Sequence, residues 1–264
     1  MRALWTAASG MKAQQLNMDT ISNNLANVNT TAYKKQRVEF KDLLYATLSK
    51  SNINDGTGRP VNLQVGHGVM PSGTSRSFIT GSLEKTESPY DLAIDGEGFF
   101  AIEGSNGEFT YTRDGNFKIS VEDTERKLVT SDGYAVLSEF DDVIVLEEGL
   151  DNITISDKGL ITAENEGGEI VEIASIKLVK FMNPEGLESI GRNLYKSTVA
   201  SGEEIRMEEE GKTSNILQGY LETSNVQVVD EMVRMITAQR AYEISSKAIQ
   251  TGDEMLGIAN NLKR

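Results

Sequence analysis

Apolar residues recur every seven positions at both ends of this chain, and that placement limits its fold more than any other feature. Leu4, Met11, Met18 and Leu25 form one row, with Ala7, Ile21 and Val28 on the adjoining position. Val228, Met235, Tyr242, Ile249 and Leu256 form the other, flanked by Ala241, Ala248, Met255 and Leu262. Side chains seven apart share one helix face, so each end reads as a helix with a coiled-coil seam. A single helix leaves such a seam in water, so the two ends are expected to meet as one antiparallel, discontinuous helical domain.

Between the ends the grammar changes. "DLAIDGEGFFAIEGSNGEFTYTRDGNFKIS" has short apolar runs punctuated by Asn-Gly and Asp-Gly, which signal hairpins. "ITISDKGLITAENEGGEIVEIASIKLVKF" alternates as strands exposed on one side do. "LSKSNINDGTGRPVNLQVGHGVMPSGTSR" is rich in Ser, Asn, Gly and Pro and reads as an extended connector or long hairpin. The fold class is therefore mixed α+β. Residues 1–32 with 224–264 would form the terminal helical domain, 33–72 with 203–223 a connecting segment, and 73–202 a β-rich domain able to fold alone.

The stretch "SNNLANVNTTAYKK" places Asn23, Asn24, Asn27 and Asn29 where the first helix gives out. Asparagine weakens helix interiors and favours helix ends, so these amides read either as local caps or as hydrogen-bonding groups that set register between neighbouring subunits. Ser224 and Gln227 have capping-box spacing beside Asn225, and Asp230 and Glu231 follow where a helix dipole favours negative charge, so the second helix is expected to begin near Asn225. Gly252 costs that helix about 1 kcal/mol relative to alanine. Ala238, Ser245 and Ala259 share its heptad position, which points to close approach of another helix.

Composition narrows the function. Lys plus Arg (26) less Asp plus Glu (40) gives a net charge of -14, which repels nucleic-acid phosphates. Cysteine is missing, so there is no thiolate metal site, and His67 has no second histidine to join it. Gly96, Gly98 and Ala101 satisfy the letter of a dinucleotide fingerprint, but the residues after them continue as strand and turn rather than opening a helix, so no cofactor is expected. Asp91, Asp95, Glu97 and Asp114 offer carboxylates for an acid pair at positions that more often cap turns. Glu208, Glu209 and Glu210 lack the alternation of a calcium loop. The start carries no secretory-signal pattern, and no run is long and apolar enough for a membrane helix. An assembly subunit leads, with a β-rich hydrolase or adhesin as alternatives.

"SNNLANVNTTAYKK", "AIDGEGFF", "YTRDGNF", "LESIGRNLY", "GYLETSNV" and "MITAQRAYEISSKAIQTGDEML" together resemble the axial (rod and hook) protein family of the bacterial flagellum, in order and over nearly the whole chain. "FKDLLYATL" followed by "NLQVGHGV" is more similar to the distal-rod branch than to the proximal-rod branch. The resemblance implies a non-enzymatic subunit of a helical tube, the terminal helices lining the tube and packing against neighbouring copies while the β domain faces outward. It implies export through the flagellar type III apparatus without a cleaved leader. The implied partners are further copies, proximal rod proteins, the hook protein, and the surrounding L and P ring proteins where present. The family usually has glycine then phenylalanine after the asparagines. This chain has Ala32 and Tyr33, so the turn there need not use a positive φ.

Overall fold

The computed structural model describes residues 2–49, 62–104, 107–122, 125–147, 150–165, 169–207 and 214–261. Glu208, Glu209, Glu210 and Leu262, and the connector from residue 50 to 61, lie outside the described residues. The chain divides into two units, one made of residues 1–26, 36–76 and 227–264, the other of residues 27–35 and 77–226.

The first unit holds both long helices, α1 (Arg2–Ala26) and α2 (Val228–Asn261). They run antiparallel, since Leu4 meets Gly252, Gly10 meets Ser245 and Asn24 meets Glu231. A Cβ at Gly252 would lie 2.9 Å from Leu4 Cδ2, and one at Gly10 would lie 3.4 Å from Ser245 Oγ. The small residues of α2 therefore admit α1, as their spacing predicts. The buried line of α2 is Glu231, Ala238 and Gly252, and that of α1 is Ala13, Ile21 and Asn24.

The rest of this unit is a two-stranded antiparallel ribbon. Gln36–Asp42 pairs with Val69–Arg76, and Tyr45–Ser49 with Leu63–Gly66. At Gly68, with φ of 110°, a side chain would strike Ser9 of α1, and the Val69 amide donates to Ser9 Oγ at 3.4 Å. The region expected as a separate connector over 33–72 thus differs: strands from residue 36 onward group with the helices, because hairpin pairing and the seat on α1 satisfy their backbone groups.

The second unit is β-rich and antiparallel throughout. Its largest sheet has six strands in the order Glu188–Gly191, Leu194–Lys196, Phe109–Thr112, Phe99–Glu103, Leu178–Lys180, Ile205–Arg206. Side chains alternate across a strand, and Phe99–Glu103 feeds two cores. Phe100 and Ile102 join a large cluster with Leu92, Ile94, Phe117 and Ile216, whereas Phe99 and Ala101 join Tyr111, Phe181 and Tyr195. Rings of the second cluster meet edge to face, Tyr111 to Phe181 at 4.8 Å between centroids. Two further sheets of three strands lie over Phe117–Thr130 with Val145–Leu146, and over Leu150–Ser175.

The expectation that 73–202 forms a self-sufficient domain is corrected by the pairing beyond it. Asn215–Gln218 pairs with Leu92–Asp95, Tyr220–Glu222 pairs with Leu83–Lys85, and Ile216 is wholly buried in the main core. A fragment ending at 202 would expose that core and leave the ladder groups of two strands unpaired.

Candidate assembly interface

Taken singly, the residues of the helical seams fall into two sets. Ile21 is buried; Leu4, Met11, Met18, Leu25 and Val28 are half-buried, as are Met235, Ile249 and Leu256. Val228 and Tyr242 are exposed. Further large apolar residues of α2 face solvent, among them Val229 (73 %), Val233 (56 %), Ile236 (51 %), Ile244 (68 %) and Ile258, together with Met255 of the flanking row. Successive members stand three, four, eight or eleven positions apart and run along one side of the helix. The sevenfold row of α2 lies on the other side of the helix, beside the buried line of Glu231, Ala238 and Gly252 that meets α1. The outer row has helical spacing of its own, as at Val229, Val233 and Ile236.

The asparagines divide as well. Asn24 is buried and engaged within the first unit: its Nδ2 donates to the Gln36 carbonyl at 2.9 Å and to Glu231 Oε2 at 3.2 Å, and its Oδ1 accepts from the Gln36 amide at 2.9 Å. It ties α1 to α2 and to the first ribbon strand at one point. Asn27 closes the turn after α1, its carbonyl accepting from the Thr30 amide and its Oδ1 from the Thr30 hydroxyl. Asn23 and Asn29 are exposed.

Asn225 is not a helix cap. In the second unit its Oδ1 accepts from the Lys35 amide at 2.8 Å, and its Nδ2 donates to the Ser77 and Ile79 carbonyls. Held in this way the chain cannot coil at 225, and α2 begins at Val228, where the Gln227 carbonyl accepts the Glu231 amide. Ser224 Oγ accepts from the Val226 amide two residues on, a local turn instead of the expected capping box.

Beside Asn225 lies a buried ion cluster that sequence reasoning missed. The Glu222 carboxylate accepts from Lys34 Nζ at 2.6 Å, from Arg113 Nε at 2.9 Å and from the Gly81 amide at 2.7 Å. Lys34 also donates to the Ile79 carbonyl, and the Arg113 guanidinium to the carbonyls of Ile94, Gly96 and Gly98. The "DGEG" turn is therefore a carbonyl crown around Arg113. A side chain at Gly96, which has φ of 127°, would strike Ser214, so this glycine serves close packing. Burial, then the Arg113 charge, push the Lys34 ammonium down to about 8, against the opposing pull of Glu222. Burial alone would raise Glu222, but Arg113 and Lys34 hold it below its ordinary value. Only "AYKK", "YTRDGNF" and "GYLETSNV" hinted at this cluster, as separate motifs.

Ala32, buried next to it, takes a conformation that its residue type does not require. Its φ is 54°, left-handed, and its amide donates to the Glu222 carbonyl at 2.8 Å. The turn keeps the positive φ although alanine stands there.

A second charged cluster closes one end of the β unit. Lys177, with its side chain 1 % exposed, bonds Asp141 at 2.5 Å and Glu204 at 2.8 Å, and Tyr111 donates to Glu204 at 2.7 Å. Lys177 and Arg206 hold Asp141 below its ordinary value. Of the carboxylates considered as an acid pair, Glu97 pairs with Lys180, while Asp114 Oδ1 accepts the Asn116 amide and its carboxyl is raised above its ordinary value by burial and, less strongly, by the charge of Asp91. His67 Nδ1 lies 2.8 Å from the Leu44 carbonyl on the ribbon. No group of metal-ligating side chains occurs among the described residues, nor does any helix among them have the length and apolarity to cross a membrane.

The terminal helices keep an uncovered apolar side, and the buried charged side chains of the β unit are tied to one another and to its own turns, an arrangement that offers surface for packing rather than a reactive centre. Three family patterns match in chain order: flagella basal body rod protein over residues 4–34, the flagellar hook protein FlgE/F/G D1 domain over 93–163, and the flagellar basal body rod FlgEFG protein C-terminal region over 217–262. The flagellar basal-body rod protein FlgG of Borreliella burgdorferi is 51 % identical over 100 % of this chain and 99 % of its own length. FlgG of Caulobacter vibrioides is 44 % identical and FlgG of Bacillus subtilis 37 %, each over 100 % of both chains. The chain belongs to the FlgG family of flagellar basal-body rod proteins. Among solved structures, the flagellar hook protein FlgE2 of Helicobacter pylori covers 50 % of this chain and 43 % of its own at 19 % identity and a TM-score of 0.26, too slight a likeness to carry an argument.

Proposed function

We propose that this protein is the repeating subunit of the distal rod, a helical tube in the periplasmic part of the flagellar basal body that transmits torque from the motor to the hook. The observation that carries this reading is the outer row of α2, from Val229 to Ile258. Six large apolar side chains left in water forgo on the order of 10 kcal/mol of burial. Neighbouring copies supply that cover, and the α1 and α2 seams then continue between subunits as coiled-coil contacts. The exposed amides of Asn23 and Asn29 are the ones placed to set register there. Export through the flagellar type III apparatus without a cleaved leader, and contact with proximal rod, hook and L and P ring proteins, complete the reading.

Electron microscopy of concentrated purified protein tests it: straight tubes are expected. Ile236→Asp and Ile244→Asp, each placing a charge on the outer row, should abolish the tubes while leaving the melting of the β unit unchanged. Met18→Asp and Ile249→Asp should do the same through the inner seams. Normal tubes from the two outer-row variants would overturn the interface assignment. A parent protein that stays monomeric at all concentrations would overturn the self-assembly.

A further inference from the structure

One buried carboxylate serves three stretches of chain that are remote in sequence. Glu222 sits on the segment that leads into α2, Lys34 on the segment that follows α1, and Arg113 in the β unit between them. The two leading segments also bond directly, Ala32 amide to Glu222 carbonyl and Asn225 amide to Tyr33 carbonyl, with the Lys35 amide on Asn225 Oδ1. The side chains of Lys34, Arg113 and Glu222 are each 1 % exposed, so water cannot replace a lost partner. Two cations share a single anion, and Glu222 is the member whose loss leaves both unneutralised.

We propose that Glu222 is a positioning residue: its carboxylate clasps the segment after α1 and the segment before α2 to the β unit, so the chain leaving α1 and the chain leading to α2 are held side by side in the free monomer. Tethering of this kind makes helix pairing an intramolecular event with a high effective concentration. The clasp is complete within one chain and does not depend on tube formation, so its failure and that of the rod reading are separable.

Hydrogen exchange on dilute full-length monomer tests it, read at single amides. Lys34→Met keeps one cation on the carboxylate and releases only the first segment. Exchange at Ala32, Lys35 and Asn225 should rise at least tenfold, while the 220–222 strand, Thr223 and the Phe99–Glu103 strand keep their protection. Glu222→Gln should free both segments, adding Gly81 and Thr223 to the exposed amides, with Phe99–Glu103 still protected. Equal acceleration in Phe99–Glu103 under Lys34→Met would show a plain core-stability role and overturn the proposal. So would unchanged exchange at Ala32 and Lys35. If Glu222→Gln does not fold, the Lys34→Met pattern alone decides.

Discussion

A single methyl group sits in a left-handed turn at Ala32, and three effects of similar size meet there. The left-handed conformation costs a non-glycine residue about 1–2 kcal/mol. Removing the buried methyl forfeits about 0.8 kcal/mol, and glycine adds about 0.5–1 kcal/mol of chain entropy. Ala32→Gly should therefore melt within about 1 kcal/mol of the parent, whereas Ala32→Val, β-branched at positive φ in a filled site, should lose about 2 kcal/mol or more. Denaturant titration of both variants checks this. At Lys34 the sign runs with base: its ammonium titrates near 8 in the fold and near 10.5 in the unfolded chain. Between those values the unfolded state binds more protons, so stability rises with pH. Denaturant midpoints from pH 8 to 9.5 should show this positive slope, and Lys34→Met should flatten it. The cluster is neutral once Lys34 gives up its proton, because Arg113 and Glu222 remain as a pair.

Along the helices, periodicity made the elements legible and the small residues made their contact legible. Gly252→Ala should be close to neutral. The helix gains about 1 kcal/mol of propensity, and Leu4, the flexible side chain that a Cβ would touch, gives way for about the same amount. Gly252→Leu should force the helices apart and lower the helical melting transition, measured by far-ultraviolet circular dichroism. The outer row was harder to read from sequence because two apolar strips run along α2, and only a partner helix decides which one is covered. Less legible still was the ribbon of residues 36–49 and 63–76. Its strands carry Gly, Pro and charged residues because little packs against them, so they lack the alternation by which strands are recognised. The start of α2 was misplaced for a related reason: Asn225 obeys partners on residues 35, 77 and 79, not its neighbours in sequence.

At the scale of the whole molecule, the β unit is closed by its two outermost pieces, residues 27–35 and 214–226. A fragment of residues 27–226 should melt cooperatively, and one of residues 73–202 should not; calorimetry of both distinguishes them. Such closure could not be read from local pattern, since Lys34 and Glu222 stand 188 positions apart and no period links them. That separation also governs time. Contacts between remote positions form slowly, because the intervening loop must be closed before any of them is rewarded. The bond at Glu222 therefore joins only when both outermost pieces of the β unit are present, so a chain that still lacks either piece is left with an open unit.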